Sequence, residues 1–204
     1  MIVDLGPDHV DALEELVNIG VGRAAGVLNH MLASHVRVHV PEVRVVGWDE
    51  ALTLLETIGG DRLATVGQSF DGSFSGVAGL VIPPEPASRL IVLLTGSEHG
   101  GDDLDGVRSG TLSEVGNIML NSVMGSVSNV LGEHLDYGLP SFTEASPEEV
   151  LAVLLPEGGA EGLVACTARF DVAEHVIRGD VILVFASGSL ARLLGAIEAV
   201  AVGA

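Results

Sequence analysis

Apolar residues recur at helical spacing in two long stretches of the chain, about 8–33 and about 108–134, and this predicts a long helix in each. At about 100° per residue, with Asp11 set to zero, Leu13, Leu16, Val17, Ala24, Val27, Leu28 and Met31 fall at roughly 140–260°. Glu15, Asn18, Gly22, Ala25, Gly26 and Asn29 fall within about 60° of Asp11, on the opposite side. The second stretch repeats the division. Leu112, Val115, Met119, Val123 and Val130 share one stripe, and Glu114, Asn117, Asn121, Gly125 and Ser128 share the other. Each helix therefore offers a core face and, across from it, a face of acids, amides and small residues.

The two stretches belong to a longer repeat. Glu15-Leu16-Val17-Asn18-Ile19 aligns with Glu114-Val115-Gly116-Asn117-Ile118 at an offset of 99 residues, and Pro41 aligns with Pro140 at the same offset. Further on, Gly76, Leu80, Val81, Arg89 and Leu90 face Gly179, Leu183, Val184, Arg192 and Leu193, so small insertions have accumulated between them. The chain divides into halves of about 1–100 and 101–204, each with the same predicted order. A strand region follows the long helix beside the proline, clearest at 36–40 and 43–48. A short helix comes next (about 49–57 and 147–155), then two strands (about 62–71 with 74–82, and 161–171 with 176–186). A final helix closes each half (about 86–95 and 188–201). Adjacent strands flanked by helices predict an α+β fold with mainly antiparallel pairing. No linker separates the halves, which predicts one pseudo-twofold domain over 1–204 with a shared core.

Composition narrows the class. Hydrophobic residues make up 48% of the 204 and aromatic residues 3%, so the core must be built from Leu, Val, Ile and Ala. The net charge is −19, and all nine cations are Arg. That balance excludes phosphate-backbone binding, which needs clustered cations, and so predicts no nucleic-acid partner. No apolar run approaches the roughly 20 residues of a membrane helix. Met1 to Pro7 lack the basic and hydrophobic regions of a signal peptide. A cytoplasmic protein without membrane insertion is expected.

The acid-amide faces are the candidate chemistry. A solvated helix face is ordinarily rich in Glu, Lys and Arg along its length, whereas these carry one Glu-x-x-Asn pair each, followed by small residues. Glycine in a helix costs about 1 kcal/mol relative to alanine, and its repetition on an outer face suits close approach by another macromolecule. Neither Glu nor Asn is a nucleophile here, because no His, Cys or Lys stands at activating distance in the motif. A Glu can pair with a partner's cation, and an Asn can hold a water in a chosen direction.

These residues resemble the CheC family of phosphatases, which act on phosphorylated CheY-type response regulators. The family pattern is Asp or Ser, three residues, Glu, two residues, Asn, then 22 residues to Pro, and it occurs twice. The first copy is complete in Asp11, Glu15, Asn18 and Pro41; the second has Glu114, Asn117 and Pro140, with Gly110 in place of the acid. The resemblance implies that Glu15 and Glu114 pair with a lysine of the regulator, while Asn18 and Asn117 position the attacking water. Asp11, Gly22 and Asn121 would contact the partner. The protein would hold no metal or cofactor of its own, and the Mg²⁺ would sit on the regulator. The resemblance also brings in CheD, a receptor-modifying deamidase, as a second candidate partner. The alternative is a binding module of the same fold that regulates such a partner with little or no turnover; Gly110 favours it. Gly110 also predicts a loosely held start to its helix, relieved if Ser109 caps it, and hence more turnover at Asn18.

Other features point to bland roles. Gly20-Val21-Gly22 lies inside a helical pattern and not after a strand, so it is no nucleotide loop. His35 and His39 lack a third ligand. Asp102, Asp103 and Asp105 read as loop charges, and Glu148 and Glu149 as helix-start charges, without the order of a calcium loop. Cys166 reads as a buried, inert thiol, and Ser73 and Ser75 lie among strands and not at a nucleophile elbow.

Overall fold

The computed structural model describes residues 6–32, 36–58, 61–96, 104–156, 160–172 and 175–203. Helix α1 (Pro7–Leu32) starts at a proline, whose fixed φ and missing N–H suit a first helical turn. Then come β1 (Val36–Val46), α2 (Trp48–Ile58), β2 (Leu63–Gly72), β3 (Gly76–Ile82) and α3 (Pro84–Thr95). The second half runs α4 (Leu104–Leu131), β4 (Leu135–Tyr137), β5 (Ser141–Ala145), α5 (Pro147–Leu154), β6 (Ala160–Val172), β7 (His175–Ala186) and α6 (Ser189–Gly203). Helix α5 is fixed by a capping box: Ser146 accepts from the Glu149 amide, and the Glu149 side chain accepts from the Ser146 amide. Helix α3 also starts at a proline and ends on Gly96 at φ 72°, a left-handed cap that glycine adopts without strain.

The strands form one seven-stranded sheet in the order β1-β6-β7-β3-β2-β4, with β5 also paired to β2. Every pairing among the described strands is antiparallel. This is an α+β fold. Both prolines of the repeat fall at breaks in pairing. Pro41 lies in the register shift of β1 between His39 and Glu42, and Pro140 lies in the gap between β4 and β5. Proline has no N–H to give a ladder, so pairing lapses there. The long strand β1 thus corresponds to β4 plus β5, and the strand order reads the same from either edge when the halves are exchanged. β1 pairs with β6 of the other half, and β4 and β5 pair with β2.

Helices cover both faces of the sheet. On one side α1, α3, α4 and α6 bury Leu16, Val17, Leu90, Met119, Val123 and Leu193 against Val66, Leu80, Leu183 and Phe185. On the other, α2 and α5 bury Leu55, Leu151 and Leu154 against Leu63, Val81, Leu163 and Val184. With so few aromatics, three of them gather at one point, where Phe70 meets Phe74 and Phe185 edge-on at centroid distances of 6.3 and 5.7 Å. Ser73 and Ser75 tie this corner together. Ser73 bonds Glu133 beyond α4, and the Ser75 amide donates to Ser189 Oγ at 3.0 Å.

Two expectations from periodicity need correction. Val27, Met31 and Val130 are not core residues: they are 44%, 43% and 42% exposed. In their place Val21, Ala25, Leu120, Met124, Val127 and Leu131 are buried. The inward stripe turns around both helices toward their C-terminal ends, because the two helices cross and face different neighbours along their length. Second, Gly110 and Ser109 lie well inside α4, which begins at Leu104, so Gly110 does not loosen a helix start and Ser109 is no cap. Asp102, Asp103 and His35 lie outside the described residues, as do the side chains of His39 and Cys166.

Candidate active site on two helix faces

The crossing of α1 and α4 sets the site's frame. A Cβ at Gly20 would stand 2.4 Å from the Val123 Cα and 2.8 Å from the Ser122 carbonyl oxygen, so only glycine permits this approach. Beside it, Arg23 Nη1 donates to the buried Ser126 Oγ at 3.1 Å, and Ser126 donates to the Ser122 carbonyl at 2.9 Å. Gly116, between Glu114 and Asn117, does the same job toward the sheet: a Cβ there would come within 2.5 Å of the Val66 side chain. Gly20 and Gly116 are packing glycines, and the Gly20-Val21-Gly22 sequence owes its first glycine to a helix crossing.

Outward from this frame the structure presents the predicted faces. On α1, Asp11, Glu15 and Gly22 are exposed and Asn18 is half-buried; Leu13, Leu16 and Val17 on the other side are buried. On α4, Glu114 is exposed and Asn117 and Asn121 are half-buried, with Leu112, Val115 and Met119 buried behind them. A Cβ at Gly22, Gly26, Gly110 or Gly125 would meet nothing within 4 Å, so no packing requirement within this chain explains those glycines. Gly26 and Gly125 correspond at the repeat offset. Each Glu therefore projects into solvent while its Asn stands with one side against the protein, one turn along.

Not every residue of the acid-amide stripe serves it. Asn29 accepts a hydrogen bond from the Val36 amide, fixing the exit of α1 toward β1. Ser128, its counterpart on α4, donates to the Glu133 carbonyl at 2.6 Å and holds the other exit. Ala25 is buried. Periodicity cannot separate these residues from Asn18, because all share one helical stripe. The structure also shows a contact within this stripe that periodicity alone does not give: Asn121 Nδ2 donates to Asn117 Oδ1 at 2.7 Å. Their i, i+4 spacing was the available signal.

Among the described residues, no group of three or more His, Cys, Asp or Glu side chains is placed to hold a metal ion. Nor is any described helix long and apolar enough to cross a membrane. What the two faces can do is pair a carboxylate with an incoming cation and direct hydrogen bonds from an amide held on a rigid helix.

No family model matches the chain. It is 28% identical over 178 residues to the CheY-P phosphatase CheC of Bacillus subtilis, covering 85% of this chain and 78% of CheC. Among solved structures, FliY of Thermotoga maritima superposes with a TM-score of 0.74 at 17% identity, covering 95% of this chain and 98% of FliY. The CheX–CheY–BeF₃–Mg²⁺ complex of Borrelia burgdorferi matches with a TM-score of 0.54 at 20% identity, covering 86% of this chain and 98% of the matched one. FliM middle domains carry the fold as well.

Proposed function

We propose that this chain, a member of the fold family of CheC, CheX and the FliM middle domain, is a phosphatase for the aspartyl-phosphate of a CheY-type response regulator. The observation that carries this reading is the duplicated face: Glu15 with Asn18, and Glu114 with Asn117, each outward on a long helix anchored against the sheet. The similarity to CheC and the CheX–CheY complex supports the choice of partner.

In this reading Glu15 or Glu114 pairs with a lysine of the regulator and seats the helix on it. Asn18 or Asn117 then reaches the phosphoryl group and holds a water in line with the bond to be broken. The water oxygen bonds to phosphorus as the bond from phosphorus to the aspartyl oxygen breaks. Inorganic phosphate leaves and the regulator regains its carboxylate. The regulator carries the Mg²⁺ that offsets phosphoryl charge. Almost all the work is positioning and electrostatics, as expected of phosphoryl transfer. Asp11 and Gly22 border the contact, and Gly26 and Gly125 leave room for the partner's backbone. CheD remains a second partner of this reading.

Phosphate release from a phosphorylated CheY-type regulator tests it. Substoichiometric protein should shorten the regulator's phosphorylated lifetime with many turnovers per molecule. Tight binding without any shortening would instead establish the binding-module alternative, which the FliM members of the fold keep in view.

A further inference from the structure

The two faces differ at one corresponding pair of positions. At the repeat offset, Gly22 on α1 matches Asn121 on α4. Asn18 therefore has no side chain four residues beyond it, whereas the Asn117 carbonyl oxygen receives Asn121 Nδ2 at 2.7 Å. Asn121 makes this bond at a cost. Its own Oδ1 meets no hydrogen-bond partner among the described residues, and asparagine is a poorer helix former than alanine. What Asn121 contributes against that helix-propensity cost is its bond to the Asn117 amide.

We infer that Asn121 is a positioning residue that fixes the Asn117 amide, so that the α4 face is pre-oriented for water placement and the α1 face is not. The inference rests on the phosphatase reading above. The last torsion of an asparagine is broad and nearly two-fold, so a free amide exchanges its oxygen and nitrogen ends. Only one of those ends presents the group that an in-line water needs. With Asn121 on one lone pair of Asn117 Oδ1, the amide plane is set. The second lone pair and both N–H bonds remain for water and phosphoryl oxygen. Oriented groups in such a reaction gain most from being fixed beforehand. This reverses the ranking drawn from Gly110: the Asn117 site carries more of the turnover.

The test isolates each face. In an Asn18→Ala background, Asn121→Ala should lower kcat about tenfold, leave KM within about twofold, and leave Tm unchanged or higher. A residue with a merely structural role would lower Tm instead. The reciprocal variant, Gly22→Asn in an Asn117→Ala background, should raise kcat, because the space around Gly22 is open; Gly22→Ala should not. Side-chain amide ¹⁵N relaxation gives an activity-free readout, with Asn117 more ordered than Asn18 and loosened by Asn121→Ala. Equal mobility of the two amides, an unchanged kcat, or an effect confined to KM would overturn the inference. Absence of hydrolysis by the unaltered protein would overturn the phosphatase reading instead, and the relaxation comparison would still decide whether Asn121 orders Asn117.

Discussion

Two carboxylates and two amides carry the proposed chemistry, and they divide it. Glu15 and Glu114 are exposed, so any pair they form with a partner's cation is partly screened by salt and acts mainly on encounter. The double variant Glu15→Gln/Glu114→Gln should slow association with a regulator several-fold at low salt and flatten its salt dependence, as stopped-flow mixing would show. These residues could be read from the chain because their spacing is fixed by helical geometry and repeated. Asn29 could not be separated from Asn18 in the same way. Both fall on one stripe, and only the Val36 amide against Asn29 gives the latter a structural task. The Asn117–Asn121 bond was likewise hidden, because a sequence shows that two amides share a helix face but not that they touch.

Glycines on α1 and α4 look alike in sequence and do opposite things. Gly20 is pressed against α4, so Gly20→Ala should push the helices apart and cost about 1–3 kcal/mol, seen as a lower midpoint in denaturant. Gly26 and Gly125 face open space. Alanine at either should stabilise the free protein by about 1 kcal/mol in the same measurement while weakening binding to the regulator. A Cβ at either meets nothing in this chain, and in the proposed reading that space is where the partner approaches. The long helices were readable from the sequence at both ends to within a few residues. The turn of their buried stripe was not, since a fixed angular wheel assumes one neighbour along the whole helix. Val21 and Ala25 are buried and Val27 is exposed because α1 crosses α4 at Gly20 and faces other elements beyond it.

The halves exchange strands, so neither has a complete sheet alone. β1 is paired to β6, and β4 and β5 to β2, while β3 and β7 meet in the middle. Fragments 1–100 and 101–204 should each lack a cooperative thermal transition by circular dichroism, and mixing them should restore one. The repeat made the duplication visible in the sequence, but not this interlocking, which depends on pairings between residues far apart in the chain. Both motif helices, α1 and α4, pack in one core cluster against the same face of the interlocked sheet.

The central claim is that Asn18 and Asn117 supply hydrolysis and not merely affinity. Replacing both by alanine and measuring binding and turnover on one regulator tests it directly. Affinity for the beryllofluoride-activated regulator should stay within about threefold, because the carboxylates remain, while phosphate release should fall by about 100-fold or more. Full turnover by Asn18→Ala/Asn117→Ala would contradict the account.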